Sequence, residues 1–168
     1  MMSPGEHVRR EAEAFARQSE YRREFIVTQT VILALLPILY SVAIFVYGDR
    51  LWAFSAPGHT GNTPPGVYAT AFSLPSAPES WGVFFIACGL GCLIALLTRH
   101  DRWLAVISAL TAVVLASFMV AFVTDFFRYH APPAIPGALV YCLVSLSFFN
   151  LARLAWVSSK NTLPRVKP

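Results

Sequence analysis

Four long apolar runs, separated by one long loop and two short segments, dominate the chain. They extend over residues 25–47, 81–97, 103–127 and 135–157. A bilayer core of about 30 Å requires roughly 20 apolar residues in an α-helix. The runs are continuous rather than alternating, which excludes a closed β-barrel. The pattern therefore predicts an all-α polytopic membrane protein with four transmembrane helices and a short cytoplasmic helix before them.

The polar segments predict the remaining organisation. Residues 1–24 contain five Arg and five Glu, with Glu6–Arg10 and Glu13–Arg17 at the favourable i,i+4 spacing. This segment is predicted to be a charged helix, either solvated and leading into the first span, or lying on the interface or on a partner. Residues 48–80 contain proline, glycine and aromatic side chains, which predicts an outer loop folded back on the membrane surface. Residues 158–168 form a basic tail.

Composition and charge support the membrane assignment and give it a direction. Hydrophobic residues make up 56% of the chain and charged residues 13%, which excludes a disordered chain and an ordinary soluble domain. Eleven of the thirteen Lys and Arg residues lie on one predicted side. The positive-inside rule then places both termini in the cytoplasm, in a cell membrane. The first run is longer than the apolar region of a signal peptide, which favours an uncleaved anchor.

Small residues on the second and third spans predict close helix packing. In the second span, Ala87, Gly91 and Ala95 recur every four residues, and Ser108, Ala112 and Ala116 do so in the third. Small residues let helix backbones approach, and this packing drives association in lipid. The linker 99–102 is so short that the two spans form an antiparallel hairpin. The small faces either pack against each other or against a second copy.

A few residues inside the spans are unusual for hydrocarbon. Pro37 lies in the centre of the first span, where a kink is expected. Asp125 and Arg128 are i,i+3 neighbours at the outer interface, and we expect a snorkelling ion pair there. In the fourth span, Ser145 and Asn150 are predicted to face another helix, because polar groups at that depth need a partner.

The sequence gives no support for chemistry. The three cysteines lie inside the spans, and no histidine does, which argues against thiol–disulfide exchange and against a haem held across the bundle. Paired carboxylates, a phosphate-binding loop and a catalytic triad are absent from the sequence. No basic soluble surface is large enough for nucleic acid. The sequence therefore predicts a protein without catalytic site, cofactor or metal, whose partners are the bilayer and either further copies or another membrane protein.

Two motifs resemble those of short four-span membrane proteins of actinobacteria and their phages. They are the run Pro78-Glu79-Ser80-Trp81-Gly82 before a Gly- and Ala-rich span, and Thr98-Arg99-His100-Asp101-Arg102-Trp103. The similarity covers residues 78–157, and some of these proteins resemble holins of phage lysis systems. The resemblance implies the four-span fold and carries over no functional residue. The present chain departs from many holins, which are shorter and have a denser charged tail.

Three functions follow as hypotheses. The first is a holin-like pore former that assembles through the small faces, with Ser145 and Asn150 turned toward the assembly. In this hypothesis Gly91→Leu delays or abolishes collapse of the membrane potential. The second is a non-catalytic accessory or docking subunit that uses loop 48–80 and the N-terminal helix. The third is a small transporter or lipophilic-ligand carrier, which predicts a cavity beside Pro37 and Asn150.

Overall fold

The described part of the chain contains four α-helices, and every one is long and apolar enough to span a membrane. The computed structural model describes residues 4–47, 70–71, 76–77, 79–130, 132 and 134–161, with side chains from residue 13 to residue 160. The helices are α1 (Pro4–Tyr47), α2 (Glu79–Leu97), α3 (Asp101–Tyr129) and α4 (Ala134–Asn161). The predicted all-α architecture with four spanning helices is confirmed. The protein is therefore a small multi-pass membrane protein.

α1 is a single continuous helix that includes both the predicted N-terminal helix and the first span. At 1.5 Å per residue, its 44 residues extend over about 66 Å, roughly twice the hydrocarbon thickness. All residues from Glu13 to Phe25 are exposed, and Ile26 is the first buried side chain of the described part. The N-terminal half of α1 thus projects beyond the bundle. The helix also continues through Pro37, and the predicted kink stays a prediction.

α1 and α2 pack closely because glycines remove side chains from their contact. A Cβ built on Gly89 would lie 2.5 Å from Cγ1 of Ile38 and 2.7 Å from the carbonyl oxygen of Ala34. Nearer the other end, the Ser41 hydroxyl donates a 2.8 Å hydrogen bond to the carbonyl of Gly82. Such contacts between helix backbones are typical of small-residue interfaces in membranes. Gly89, rather than the predicted stripe, therefore defines the closest approach of α2 to α1.

A tight turn joins α2 to α3 and makes the predicted hairpin. Arg99 adopts a left-handed conformation with φ 54°. The His100 amide donates to the Ala95 carbonyl at 3.2 Å, and the Arg99 amide donates to Leu96 at 3.1 Å. These two bonds form the Schellman arrangement that commonly ends helices. The chain then reverses at once into α3, so the two helices lie antiparallel.

α3 and α4 form the most extensive helix pair. Near one end, the Ser158 hydroxyl donates to Oδ2 of Asp101 at 2.8 Å. In the middle, the Ser145 hydroxyl donates to the carbonyl of Ala112 at 2.8 Å. α1 completes the ring of helices by touching α4, but these two are the least extensively packed neighbours.

Two predicted segments fall mainly outside the described residues. In the outer loop 48–80, the structure describes only residues 70–71, 76–77 and the start of α2. In the basic tail 158–168, it describes residues 158–161, which belong to α4. The surface folding of the loop and the lipid affinity of the tail stay predictions.

Candidate functional site

An aromatic cluster occupies the centre of the bundle and receives rings from all four helices. The Trp81 and Phe118 ring centroids are 4.5 Å apart, edge to face. Those of Phe118 and Tyr141 are 4.8 Å apart, and Tyr40 contacts both Phe85 at 5.4 Å and Tyr141 at 6.4 Å. Aromatic pairs in these geometries stabilise by about 0.5–1.5 kcal/mol each beyond the area they bury. These ring contacts therefore help to hold the four helices together.

Beside this cluster lies a cavity of about 400 Å³. Its wall is almost entirely apolar and is contributed by all four helices. The lining residues are Leu36, Pro37, Tyr40, Phe85, Leu115, Phe122, Pro136, Gly137, Val140, Tyr141 and Val144. A volume of this size lies within the usual range for small-molecule pockets, which are also predominantly apolar.

The exposed residues of the cavity lining lie on α1 and α4, and we infer that the cavity opens sideways between these two helices. Among its lining residues, Leu36 on α1 is 41% exposed and Val140 on α4 is 56% exposed. Phe85 and Leu115, on the opposite wall, are each 1% exposed. α1 and α4 are also the neighbours that touch least. Both helices have the length and hydropathy of membrane spans, and we infer that an opening between them faces the hydrocarbon of the bilayer.

A proline on α1 and a glycine on α4, Pro37 and Gly137, line the cavity wall. Pro37 is buried in α1 and lines the cavity, and its ring removes a backbone donor from that turn. Gly137 lines it from α4, where an added Cβ would come within 2.7 Å of the Phe122 ring. The cavity lies beside Pro37, where the carrier hypothesis places one. Asn150 is not among its lining residues and is exposed elsewhere on α4.

Thr70, Ala71 and Asp125 form what we call the polar cap, which lies next to the aromatic cluster where α2 begins and α3 ends. Asp125, on α3, is fully buried, and its Oδ1 accepts hydrogen bonds from the Thr70 amide at 3.0 Å and from the Thr70 hydroxyl. The Trp81 indole donates to the carbonyl of Ala71 at 2.8 Å. Oδ2 of Asp125 has no hydrogen-bond partner in the part of the chain that the structure describes. The cap thus ties residues 70–71 to α2 and α3.

This cap corrects the expected arrangement of Asp125 and Arg128. The carboxylate faces the protein interior and bonds to Thr70, while the Arg128 guanidinium lies 5.5 Å from the centroid of the neighbouring Tyr129 ring. Spacing along α3 had suggested Arg128 because the two residues are i,i+3 neighbours. A different signal was available, since Asp125 lies on the same helix face as Phe118 and Phe122, which are both buried.

Most of the predicted small faces are used inside the chain. Ala95, Ser108 and Ala112 are buried. Gly91 is half-buried, and a Cβ there would lie 3.1 Å from Cγ2 of Ile107. The remaining members are half-buried or exposed: Ala116 and Ala87 respectively. The small residues of α2 and α3 therefore serve mainly as intrachain packing, and a contact with a second copy through them stays a prediction.

The two polar residues singled out in the fourth span have opposite surroundings. Ser145 is half-buried and bonds to α3. Asn150 is exposed on the outward side of α4. Of these two residues, Asn150 is therefore the one whose side chain can contact a group outside this chain.

Fold and site together define a small polytopic membrane protein with an apolar cavity between its helices. Comparison with known proteins adds no family: no protein-family model, curated protein or solved structure matches the chain.

Proposed function

We propose that this integral membrane protein binds a lipophilic molecule in its central cavity, as a small transporter or lipophilic-ligand carrier does. The observation that carries this proposal is the cavity of about 400 Å³ between the four helices, with its opening between α1 and α4. A molecule dissolved in the bilayer can enter there without crossing water. The function therefore depends on lateral exchange with the membrane.

The lining determines which molecules fit. Lipid hydrocarbon is as apolar as the cavity wall, so an apolar molecule gains little free energy from burial when it moves from the bilayer into the cavity. Selectivity comes instead from shape, from dispersion contacts with the ring faces and edges, and from tyrosine hydroxyls. Tyr40 and Tyr141 are the lining residues with such groups. A long hydrocarbon chain with few polar atoms suits this wall best.

A single tryptophan provides a direct readout of occupancy. Trp81 is 7% exposed, and its ring stacks on that of Phe85, which lines the cavity. With Trp52, Trp103 and Trp156 replaced by phenylalanine, the fluorescence of Trp81 can be followed in nanodiscs during titration with a brominated long-chain fatty acid. We expect saturable quenching, because occupancy of the cavity places a bromine atom near Trp81, whereas contact with bulk lipid gives quenching that does not saturate.

A matched pair of variants tests whether quenching arises in the cavity. Val140→Phe enlarges a lining residue at the opening and is expected to reduce the saturable quenching at least tenfold in apparent affinity. Val113→Phe makes the same change at an exposed α3 position that does not line the cavity, and quenching should be unchanged. Linear quenching without saturation, identical in both variants, would contradict the proposal, because it reports only contact with bulk lipid.

A holin-like pore former is the second candidate, and the exposed Asn150 favours it. Asn150 lies well inside the fourth span, where a polar amide facing outward needs a partner. Gly91→Leu does not test this function cleanly, since Gly91 packs on Ile107 within the chain. Asn150→Leu leaves the intrachain contacts in place. If copies assemble into a pore, induced expression collapses the membrane potential abruptly, and Asn150→Leu delays the collapse; an intact potential under prolonged expression argues against a pore.

A further inference from the structure

One side of α4 carries a regular row of exposed residues. The spacing along this row alternates between four and three residues, which is the heptad spacing of coiled-coil seams. We call it the α4 stripe; its members are Leu139, Leu143, Leu146, Asn150, Arg153 and Val157, all exposed. α4 is also the least buried span, with 17% of its most apolar window buried against 39% for α3.

The α4 stripe lies opposite the face that α4 uses inside the bundle. Phe148, Leu151 and Ala155 form that inner face and are 0–2% exposed. At 100° per residue, Leu146 lies almost opposite this inner face, and Leu143 lies toward one flank; they are 57% and 65% exposed. The stripe is therefore the centre of the outward surface and is free to pack along its whole length.

Asn150 indicates what covers this stripe. Its amide makes no hydrogen bond to another residue of the described part, although it lies at hydrocarbon depth. An amide carries both donors and an acceptor, so two amides can satisfy each other. Copies of one protein insert in the same orientation, so Asn150 of each copy lies at the same depth and meets its equivalent across a twofold axis. In heptad terms it occupies an a position, where asparagine specifies the register of paired helices.

Arg153 is compatible with this pairing. It lies three residues, or about 4.5 Å, nearer the end of the span than Asn150. Its side chain is long enough to reach the headgroup region while its stem packs on the partner helix. The two guanidinium groups of a pair can thus stay in water rather than face each other in hydrocarbon.

We propose that two copies pair in parallel through the α4 stripe, with their Asn150 amides hydrogen-bonded to each other near the twofold axis. The partner is a second copy of this chain, because a copy inserted in the same orientation presents its own Asn150 amide at the same depth. The stripe and the cavity lining share no residue, so the pairing can be tested separately from the cavity. It is also distinct from a pore, which requires more than a pair.

Cysteine crosslinking in native membranes tests the pairing on the full chain. Cys88, Cys92 and Cys142 are first replaced by alanine, and one new cysteine is introduced per variant. Leu143→Cys and Leu146→Cys lie on the stripe, whereas Ser147→Cys and Phe149→Cys are exposed positions that flank Asn150 on either side. We expect oxidation to give covalent dimers at Leu143→Cys and Leu146→Cys, and at most a tenth as much at the two flanking positions.

Changes at Asn150 then separate hydrogen bonding from general contact. In the Leu146→Cys background, Asn150→Leu should lower dimer formation about fivefold, while Asn150→Gln, which keeps the amide, should retain most of it. Equal crosslinking at all four positions would mean random collision in the bilayer and overturn the proposal. So would crosslinking confined to the flanking positions, an absence of crosslinks, or no loss on Asn150→Leu. Membrane potential and fatty-acid binding are separate measurements, so failure of the pair is distinguishable from failure of either proposed function.

Discussion

Asp125 shows how a single buried carboxylate is accommodated in a largely apolar bundle. Ionisable groups at membrane depth are expensive unless they are hydrogen-bonded. Both donors of Thr70 supply that bonding to Oδ1. In return, the carboxylate anchors residues 70–71 over the ends of α2 and α3. The role of Asp125 is therefore to hold the cap in place over the aromatic cluster.

Substitutions at the cap distinguish this role from an interfacial ion pair. Asp125→Leu removes the carboxylate that accepts hydrogen bonds from the Thr70 amide and hydroxyl, and should lower the free energy of unfolding by about 1–3 kcal/mol. Asp125→Asn keeps an acceptor oxygen and should cost less. Arg128→Leu should change the stability by less than about 0.5 kcal/mol, because Arg128 is exposed and its guanidinium lies over the neighbouring Tyr129 ring. Unfolding in mixed detergent micelles measures the free energy of unfolding of each variant. Equal losses for Asp125→Leu and Arg128→Leu would support an ion pair between the two residues instead.

Sequence reasoning could recognise Asp125 as unusual but not find its partner. Local spacing offered Arg128, three residues away, whereas Thr70 is 55 positions away and lies in a segment rich in proline and glycine. The pairing requires knowing how the chain returns from that segment to α2. For Asn150, depth in the span predicts a helix partner; the residue is exposed in the described part of the chain, and its partner stays a prediction.

At the scale of helices, the glycines of α2 determine how closely α1 can approach. Gly89→Ala places a methyl group against the Ala34 carbonyl oxygen, which belongs to the backbone and moves only if the helices separate. We expect this variant to lose about 1–3 kcal/mol of unfolding free energy.

Gly91→Ala is the matched control, since its new methyl group would meet the side-chain carbon Cγ2 of Ile107 at 3.1 Å. This contact can be relieved by a small shift of the isoleucine. Detergent unfolding of the two variants, with helix content checked by circular dichroism, measures the difference. If Gly91→Ala is as destabilising as Gly89→Ala, the assignment of the close approach to Gly89 is wrong.

The helices themselves were predictable because length and hydropathy decide them. Each predicted span lies within an observed helix, and the hairpin follows from the shortness of its linker. The packing face of α2 was not predictable, since small residues occur on almost every side of it between Ala87 and Cys92. Composition can say that α2 packs closely, but only the structure selects the face that contains Gly89.

For the whole molecule, the order of the helices creates the cavity. Each helix packs against its neighbour in sequence, and α1 and α4 close the ring with the least contact. Pro37 and Gly137 lie on the two helices that flank this weakest contact, and both line the cavity. A cavity beside Pro37 could be proposed from the sequence, but its opening between α1 and α4 depends on how the ring closes, which no local pattern encodes.

The most direct test of the account is the side of the membrane on which each end of each helix lies. Single cysteines replacing Ser19, His100 and Lys160 belong to one end of the bundle, and those replacing Ser76 and His130 belong to the other. In sealed cells, a membrane-impermeant thiol reagent should label the Ser76 and His130 positions and leave the other three unlabelled until the membrane is opened, since the positive-inside rule places those three in the cytoplasm. Labelling of Ser19 and Lys160 positions from opposite sides would contradict four crossings, and with them the cavity that the four helices enclose.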